Sequence, residues 1–196
     1  QLFGRSLAGF TLANAMERAG HEVQMLSDPA ELASFEALII AVGDARLEAT
    51  VELLEPHVHH GLIVFHTCLS RGVQVLDPLE TRGCVVAALA PFALMRWAVT
   101  TLDELGETVV ELNITEFRGE AVALSDAERP SFAARAYYAE MLRRLHISAA
   151  VDARFFPTAE EKPMVGEDMD TEEIIAAYRG ATDPGLRRSY VEVARR

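Results

Sequence analysis

Up to residue 92, short and almost continuously apolar runs alternate with stretches in which apolar positions recur every three or four residues. Runs such as "ALIIAV" and "LIVF" have no polar alternation, the signature of strands buried on both faces. Strands are predicted at Gln1–Phe3, Glu22–Leu26, Ala37–Val42, Leu62–His66 and Cys84–Leu89. Between them, Gly9 to Ala19 carries Phe10, Leu12, Ala13 and Met16 at helical spacing and stops at Gly20, a left-handed cap position. "RLEATVELLEPH" reads as a second helix with Leu47, Val51 and Leu54 on one face, whereas "SDPAELASFE" has room only for an abbreviated crossover. Strand, helix and strand in turn predict an α/β fold, a mostly parallel sheet with helices on both faces.

Beyond Phe92 the strand signals fade and helix signals take over. A capping box at Thr101-Leu102-Asp103-Glu104 precedes Leu105, Val109 and Leu112, which follow at the three- and four-residue steps of one helix face. A second box, Ser125 to Glu128, opens "RPSFAARAYYAEMLRRL"; a third helix is expected near Asp170 and a fourth at Asp183-Pro184. "FFPTAEEKPMVGEDMD" reads as a surface loop. The chain thus divides into a sheet-containing domain over residues 1–92 and a helical C-terminal domain over residues 93–196. Gln1–Phe3 is short for a strand, so the first strand is expected to have lost its beginning.

Eighteen Lys and Arg against thirty Asp and Glu leave a net charge of −12, which argues against nucleic acid and anionic membranes as partners. No apolar run approaches the roughly 20 residues of a membrane span. Two cysteines, Cys68 and Cys84, lie in apolar stretches without metal-ligand spacing and fit a reducing compartment, so a cytoplasmic location is expected.

The chemistry concentrates at the first turn. Gly4-Arg5-Ser6-Leu7-Ala8-Gly9 stands between a strand and a helix, the context in which G-x-G-x-x-G binds a dinucleotide. Gly4 and Gly9 serve the tight turn and the close helix packing, but Ser6 replaces the glycine that lets a diphosphate approach. Ser6 and Arg5 can each still pair with a phosphate. At the end of the second strand, where an acidic residue would hold the ribose of NAD, stands Ser27, followed by Asp28.

Ligands of open α/β sheets lie beyond the carboxyl ends of the strands, here Gly4 to Ser6, Ser27, Val42 to Asp44, His66 to Cys68 and Leu89 to Pro91. His66 alone among these suits acid–base work near neutral pH, and it is the candidate catalytic residue beside its plainer reading as a strand-end hydrogen-bonder. Asp44 reads as the cap of the helix after it. "PHVHHG", with His57, His59 and His60, lacks a nearby carboxylate or thiolate at helical spacing and reads as a solvated turn, so no metal is expected. Tyr137 and Tyr138 read as core or dimer-face aromatics, with a cleft-facing position as the alternative.

From Gly4 to Phe92 the chain resembles Rossmann-like proteins of unknown function related to the 6-phosphogluconate dehydrogenase and pyrroline-carboxylate reductase group. "GRSLAG" with "ERAGHEV", "ALIIAVGDARLEATVELL" and "GLIVFHTCLSRGVQVLDPLETRGCVVAALAPF" carry the resemblance. His66-Thr67 matches that family's pattern, whereas Cys68-Leu69 replaces Ser-Gly and Ala90-Pro91 replaces His-Pro. The helical remainder is similar, more weakly, to the dehydrogenase-like C-terminal domain through which relatives dimerise. The resemblance implies an oxidoreductase using NADP or NAD, with Gly4, Arg5, Ser6, Gly9, Ser27, Val42, Gly43 and Thr67 around the cofactor, a small-molecule substrate between the domains, and a homodimer. The three departures support a second reading, a non-catalytic protein whose degenerate site serves dimerisation or the sensing of a small anion or nucleotide.

Overall fold

A computed structural model describes residues 1–145 and 171–196. The first strand, β1 (Leu2–Gly4), leads into helix α1 (Leu7–Ala19), which ends at Gly20 with φ +102°. A 3-10 segment, Pro29–Ser34, connects to β2 (Ala37–Ala41), then α2 (Asp44–Leu54), β3 (Ile63–His66), a 3-10 turn at Val73–Leu76, and the single turn α3 (Asp77–Glu80). There follow β4 (Val85–Ala93), β5 (Arg96–Thr101), α4 (Glu104–Glu116), β6 (Glu120–Ala123), α5 (Arg129–Arg144), α6 (Thr171–Gly180) and α7 (Pro184–Ala194).

Among the described residues six strands form one sheet in sequence order, parallel except where β5 runs antiparallel to β4. Alternate residues of β2, β3 and β4 feed two cores on opposite faces. Leu38, Ile40, Val64 and Val86 join Leu47, Val51 and Leu54 of α2 on one face; Ile39, Ala41, Phe65 and Ala87 join Leu12 and Met16 of α1 and Val110 and Ile114 of α4 on the other. This is the expected α/β sandwich, with runs buried on both sides because both sides carry helices. Helix α5 packs on the end of the sheet through Phe132, Ala133 and Ala136 against Ala90, Phe92 and Ala98, and α6 and α7 gather on α5 around Tyr190.

Four expectations need correction. The strand predicted at Glu22–Leu26 shrinks to one parallel bridge, Leu2 with Met25, held by Leu2 N–H to Gln24 O (2.8 Å) and Leu26 N–H to Leu2 O (2.9 Å). Of its side chains Glu22, Gln24 and Met25 are exposed and only Leu26 is buried, too little apolar anchorage for an edge strand. The sheet also runs on past residue 92: β5 returns from β4 through a two-residue turn, and β6 pairs with it, so the region read as helix supplies two strands. Thr101 ends β5, and α4 starts at Glu104 with Asp103 as its cap, its Oδ1 accepting from Gly106 N–H at 2.7 Å. Finally, α4 buries Gly106, Val110 and Ile114, while Leu105 and Leu112 face outward, because the sheet lies under a neighbouring stripe of the helix.

Other local readings match. Glu128 Oε2 accepts from both the amide and the hydroxyl of Ser125 ahead of α5, and Asp183 caps α7 by accepting from Leu186 N–H at 2.6 Å. The proposed surface loop at residues 155–170 lies outside the described residues.

Candidate functional site

The site grows from the contact between α1 and β2. Gly4 has φ +101°, and a Cβ there would run into the carbonyl of Ala41; a Cβ on Gly9 would run into the side chain of Ala41. Both glycines are therefore demanded by packing, which brings the N-terminus of α1 over the end of β2. Ser6 N–H donates to Ala41 O at 3.0 Å, and Ser6 Oγ accepts from Gly9 N–H at 3.1 Å as the cap of α1. The same hydroxyl stands 3.4 Å from Thr67 Oγ1, across the crevice. Ser6 thus spends its hydroxyl on one helix amide, and the amides of Leu7 and Ala8 remain without an intrahelical acceptor. Together with the positive end of the helix and exposed Arg5, they form an anion-binding surface.

This surface lies where the strand order turns. From β1 the chain goes outward to the bridge at Met25 and then back to β2 on the other side of β1. The gap between β1 and β2 is the switch point across which a dinucleotide lies in this class of sheet. Val42 is buried at its floor, its carbonyl taking the thiol of Cys68 at 3.2 Å. Gly43 is the N-cap of α2 and offers no side chain to its amides. Asp44, expected to cap that helix, instead accepts from Ser70 Oγ. Ser27 is exposed beside the bridge, and the Asp28 carboxylate is engaged with Ala30 N–H at 2.9 Å.

His66 does not reach this crevice. The ring is fully buried; Nε2–H donates to Gly72 O at 2.9 Å and Nδ1 accepts from Cys68 N–H at 3.2 Å. Burial, reinforced by the positive charge of Arg129, pushes its pKa down to about 3. Both nitrogens are engaged and the ring stays neutral, so in this arrangement it holds the turn after β3. His59 likewise turns both ring nitrogens to carbonyls, those of His60 (3.0 Å) and Phe35 (2.9 Å). Among the described residues no cluster of His, Cys, Asp or Glu could hold a metal ion.

Two features escaped the sequence. Arg129, at the start of α5, is fully buried and reaches Thr100 Oγ1 (3.0 Å), Ala98 O (3.4 Å) and Cys68 O (3.0 Å), tying α5 to β5 and to the loop after β3. Burial lowers its pKa to about 10, so it keeps its charge at neutral pH. The other is Glu173 of α6. Its Oε1 stands 3.3 Å from where a Gly43 Cβ would be, and its Oε2 accepts from Tyr137 O–H at 2.9 Å. Tyr137 therefore packs in the core with its ring and reaches the site with its hydroxyl, whose pKa burial and then Glu173 raise. A cavity of about 470 Å³ opens here between Gly43, Asp44, Ser70, Arg71 and Glu173. Capping and periodicity act over four residues, and neither signals a contact from α6 back to the end of β2.

Residues 25–91 match the sequence profile of the Rossmann-like domain. The fold is Rossmann-like. Its Rossmann-like sheet and helices superimpose on Synechocystis arogenate dehydrogenase with a TM-score of 0.62 at 13% identity, covering 99% of this chain and 87% of that one. Mycobacterium tuberculosis 3-hydroxyisobutyrate dehydrogenase, solved with L-serine, gives 0.62 at 12% identity, with 99% and 92% covered. Plasmodium falciparum pyrroline carboxylate reductase, solved with NADP bound, gives 0.54 at 12%, with 74% and 67% covered. At these identities the likeness is one of fold. Comparison with curated proteins gives no match. Among the described residues no helix is long and apolar enough to cross a membrane.

Proposed function

We propose that the chain is an NAD(P)-dependent oxidoreductase acting on a small molecule. The observation that carries this reading is the N-terminus of α1, with the amides of Leu7 and Ala8 open at the β1–β2 switch point. In this reading the cofactor's diphosphate lies on those amides beside Gly4, Arg5, Ser6 and Gly9. The adenosine end extends toward Ser27 and the nicotinamide end over Val42, Gly43 and Thr67. The cofactor supplies hydride exchange; the chain binds it, orients it and places the substrate in the cavity under α6. The sheet-containing part of the chain holds the cofactor, the helical C-terminal part covers the substrate and forms the homodimer face, and the protein works in the cytoplasm. The solved dehydrogenases and reductases of similar fold support the class without naming a substrate.

Titration with NADH and with NADPH, followed by cofactor fluorescence, tests this: saturable binding of one of them is expected, and silence at millimolar concentrations of both overturns it. Ser6 favours the second reading, a site given over to anion or nucleotide sensing, because its hydroxyl already satisfies the Gly9 amide. Ser6→Gly separates the two. A gain of roughly tenfold in cofactor affinity, about 1.4 kcal/mol, is expected for a cofactor site with a hindered approach, and no gain favours the sensor.

A further inference from the structure

We propose that the open edge of β6 and the cavity beside α4 form a docking groove for an extended, basic segment of a partner protein, which joins the sheet as a further strand. β6 is the last strand of the sheet among the described residues. On its paired side, Glu120 N–H donates to Met95 O (2.7 Å) and Leu124 N–H to Val99 O (2.8 Å). Strand alternation therefore turns the amides of Ala121 and Ala123 away from β5, toward the open edge. Their registers with Trp97 and Val99 put both methyl groups on the face of the sheet that carries α4, and both residues are exposed. A cavity of about 800 Å³ opens between α4 and β6, lined by Val99, Val110, Ile114, Ala121 and Ala123. Alternate side chains of an added strand point into that space.

Charge selects the occupant. The helix side of the cavity carries Glu107 and Glu111, and among the described residues neither carboxylate has an ion-pair partner. α4 holds Glu104, Glu107, Glu111 and Glu116 without a Lys or Arg, on a chain of net charge −12. A second copy pairing antiparallel through β6 would set these carboxylates against their own kind. Arg or Lys of a basic strand instead lays its stem over the alanine and valine floor and carries its charge to the glutamates. Nothing in β6 blunts the edge: it has no Lys, Pro or bulge, and its one charged residue, Glu120, is paired back to Arg96 (3.2 Å). Main-chain pairing and apolar burial supply the affinity, and the exposed glutamates supply the preference for positive charge. None of the residues lining this cavity is among those given to the cofactor, so neither reading depends on the other.

The test uses the full chain and three fluorescein-labelled peptide amides: Arg-Thr-Val-Thr-Arg-Thr-Val, the same sequence with Glu for Arg, and the basic sequence N-methylated at alternate residues. Fluorescence anisotropy is expected to show the basic peptide binding about tenfold more tightly than either of the others. Its affinity falls by about tenfold in the double variant Glu107→Gln with Glu111→Gln, and falls likewise in about 1 M salt. Ala123→Lys, which puts a like charge in the groove at an exposed position, abolishes binding with the thermal unfolding midpoint kept. In amide NMR spectra the peptide shifts Ala121 and Ala123 more than Val122, whose amide faces β5. Absence of binding by the basic peptide, or equal affinity for the acidic one, overturns the proposal. Equal affinity for the N-methylated peptide overturns the added strand, leaving a pocket for side chains alone. Self-association in sedimentation that Ala123→Lys abolishes overturns it too, because the edge then belongs to a second copy.

Discussion

A histidine at the end of a central strand is placed for chemistry, yet His66 is bound to the protein through both nitrogens. The physical consequence is a pH dependence. Its pKa is about 3 in the fold against an ordinary value of 6.5, so between those values the unfolded chain binds the extra proton. The stability His66 contributes is complete above pH 6.5 and is lost as pH falls from there toward 3. Denaturation midpoints should therefore drop over this window more steeply in the wild type than in His66→Gln. That variant should also start about 2–3 kcal/mol less stable at pH 7, from two lost buried hydrogen bonds. His59 acts in the opposite sense. Its pKa is raised by hydrogen bonds to the carbonyls of His60 and Phe35, so its contribution is present below 6.5 and lost as pH rises through the raised value. His59→Gln should flatten the alkaline side of the same profile. The strand-end position of His66 could be read from residue types; its burial could not, because Arg129 and the helix that carries it come from a distant part of the chain.

Between α1 and β2 the packing leaves no room for a methyl group. Gly9→Ala should cost about 1–3 kcal/mol through overpacking against Ala41, and Ala41→Gly should restore part of that loss, measured by urea denaturation of the two single variants and the double variant. Helix α4 gives a second test. Ile114→Ala should cost about 2–4 kcal/mol, whereas Leu112→Ala, on the exposed stripe, should change stability by less than about 0.5 kcal/mol. The sequence shows α4 two apolar stripes, Leu105-Val109-Leu112 and Gly106-Val110-Ile114, and periodicity ranks them equally. Only the position of β4 and β5 beneath the helix selects the second.

Across the whole molecule, Arg129 and Asp126 join the helical part to the sheet. Asp126 accepts from the amides of Val73 (2.8 Å) and Gln74 (3.0 Å), and Arg129 spans Cys68, Ala98 and Thr100. Arg129→Ala should destabilise by about 3–5 kcal/mol, since three acceptors lose their donor in the interior. Arg129→Lys should recover only a minor part, because one ammonium cannot reproduce a fork that serves acceptors on two sides. Guanidinium denaturation followed separately by Trp97 fluorescence, which reports β5, and by far-ultraviolet ellipticity should give coincident transitions in the wild type; separate transitions in Arg129→Ala would show the two parts coming apart.

What the sequence by itself determined is local in origin. The two-sided strands, the glycine turn into α1, the cap at Gly20 and the Asp183-Pro184 start of α7 all depend on neighbours within about four residues, where caps and side-chain periodicity act. The tertiary structure alone decided the rest: that Glu22–Leu26 lacks the burial to be a strand, that residues 96–101 and 120–123 complete the sheet, that His66 is walled in, and that Glu173 meets Gly43. Each of these is set by groups distant along the chain, which come together only when the sheet closes and its helices settle on it. Burial and charge pairing are properties of that assembled interior, and no short window of residues carries them.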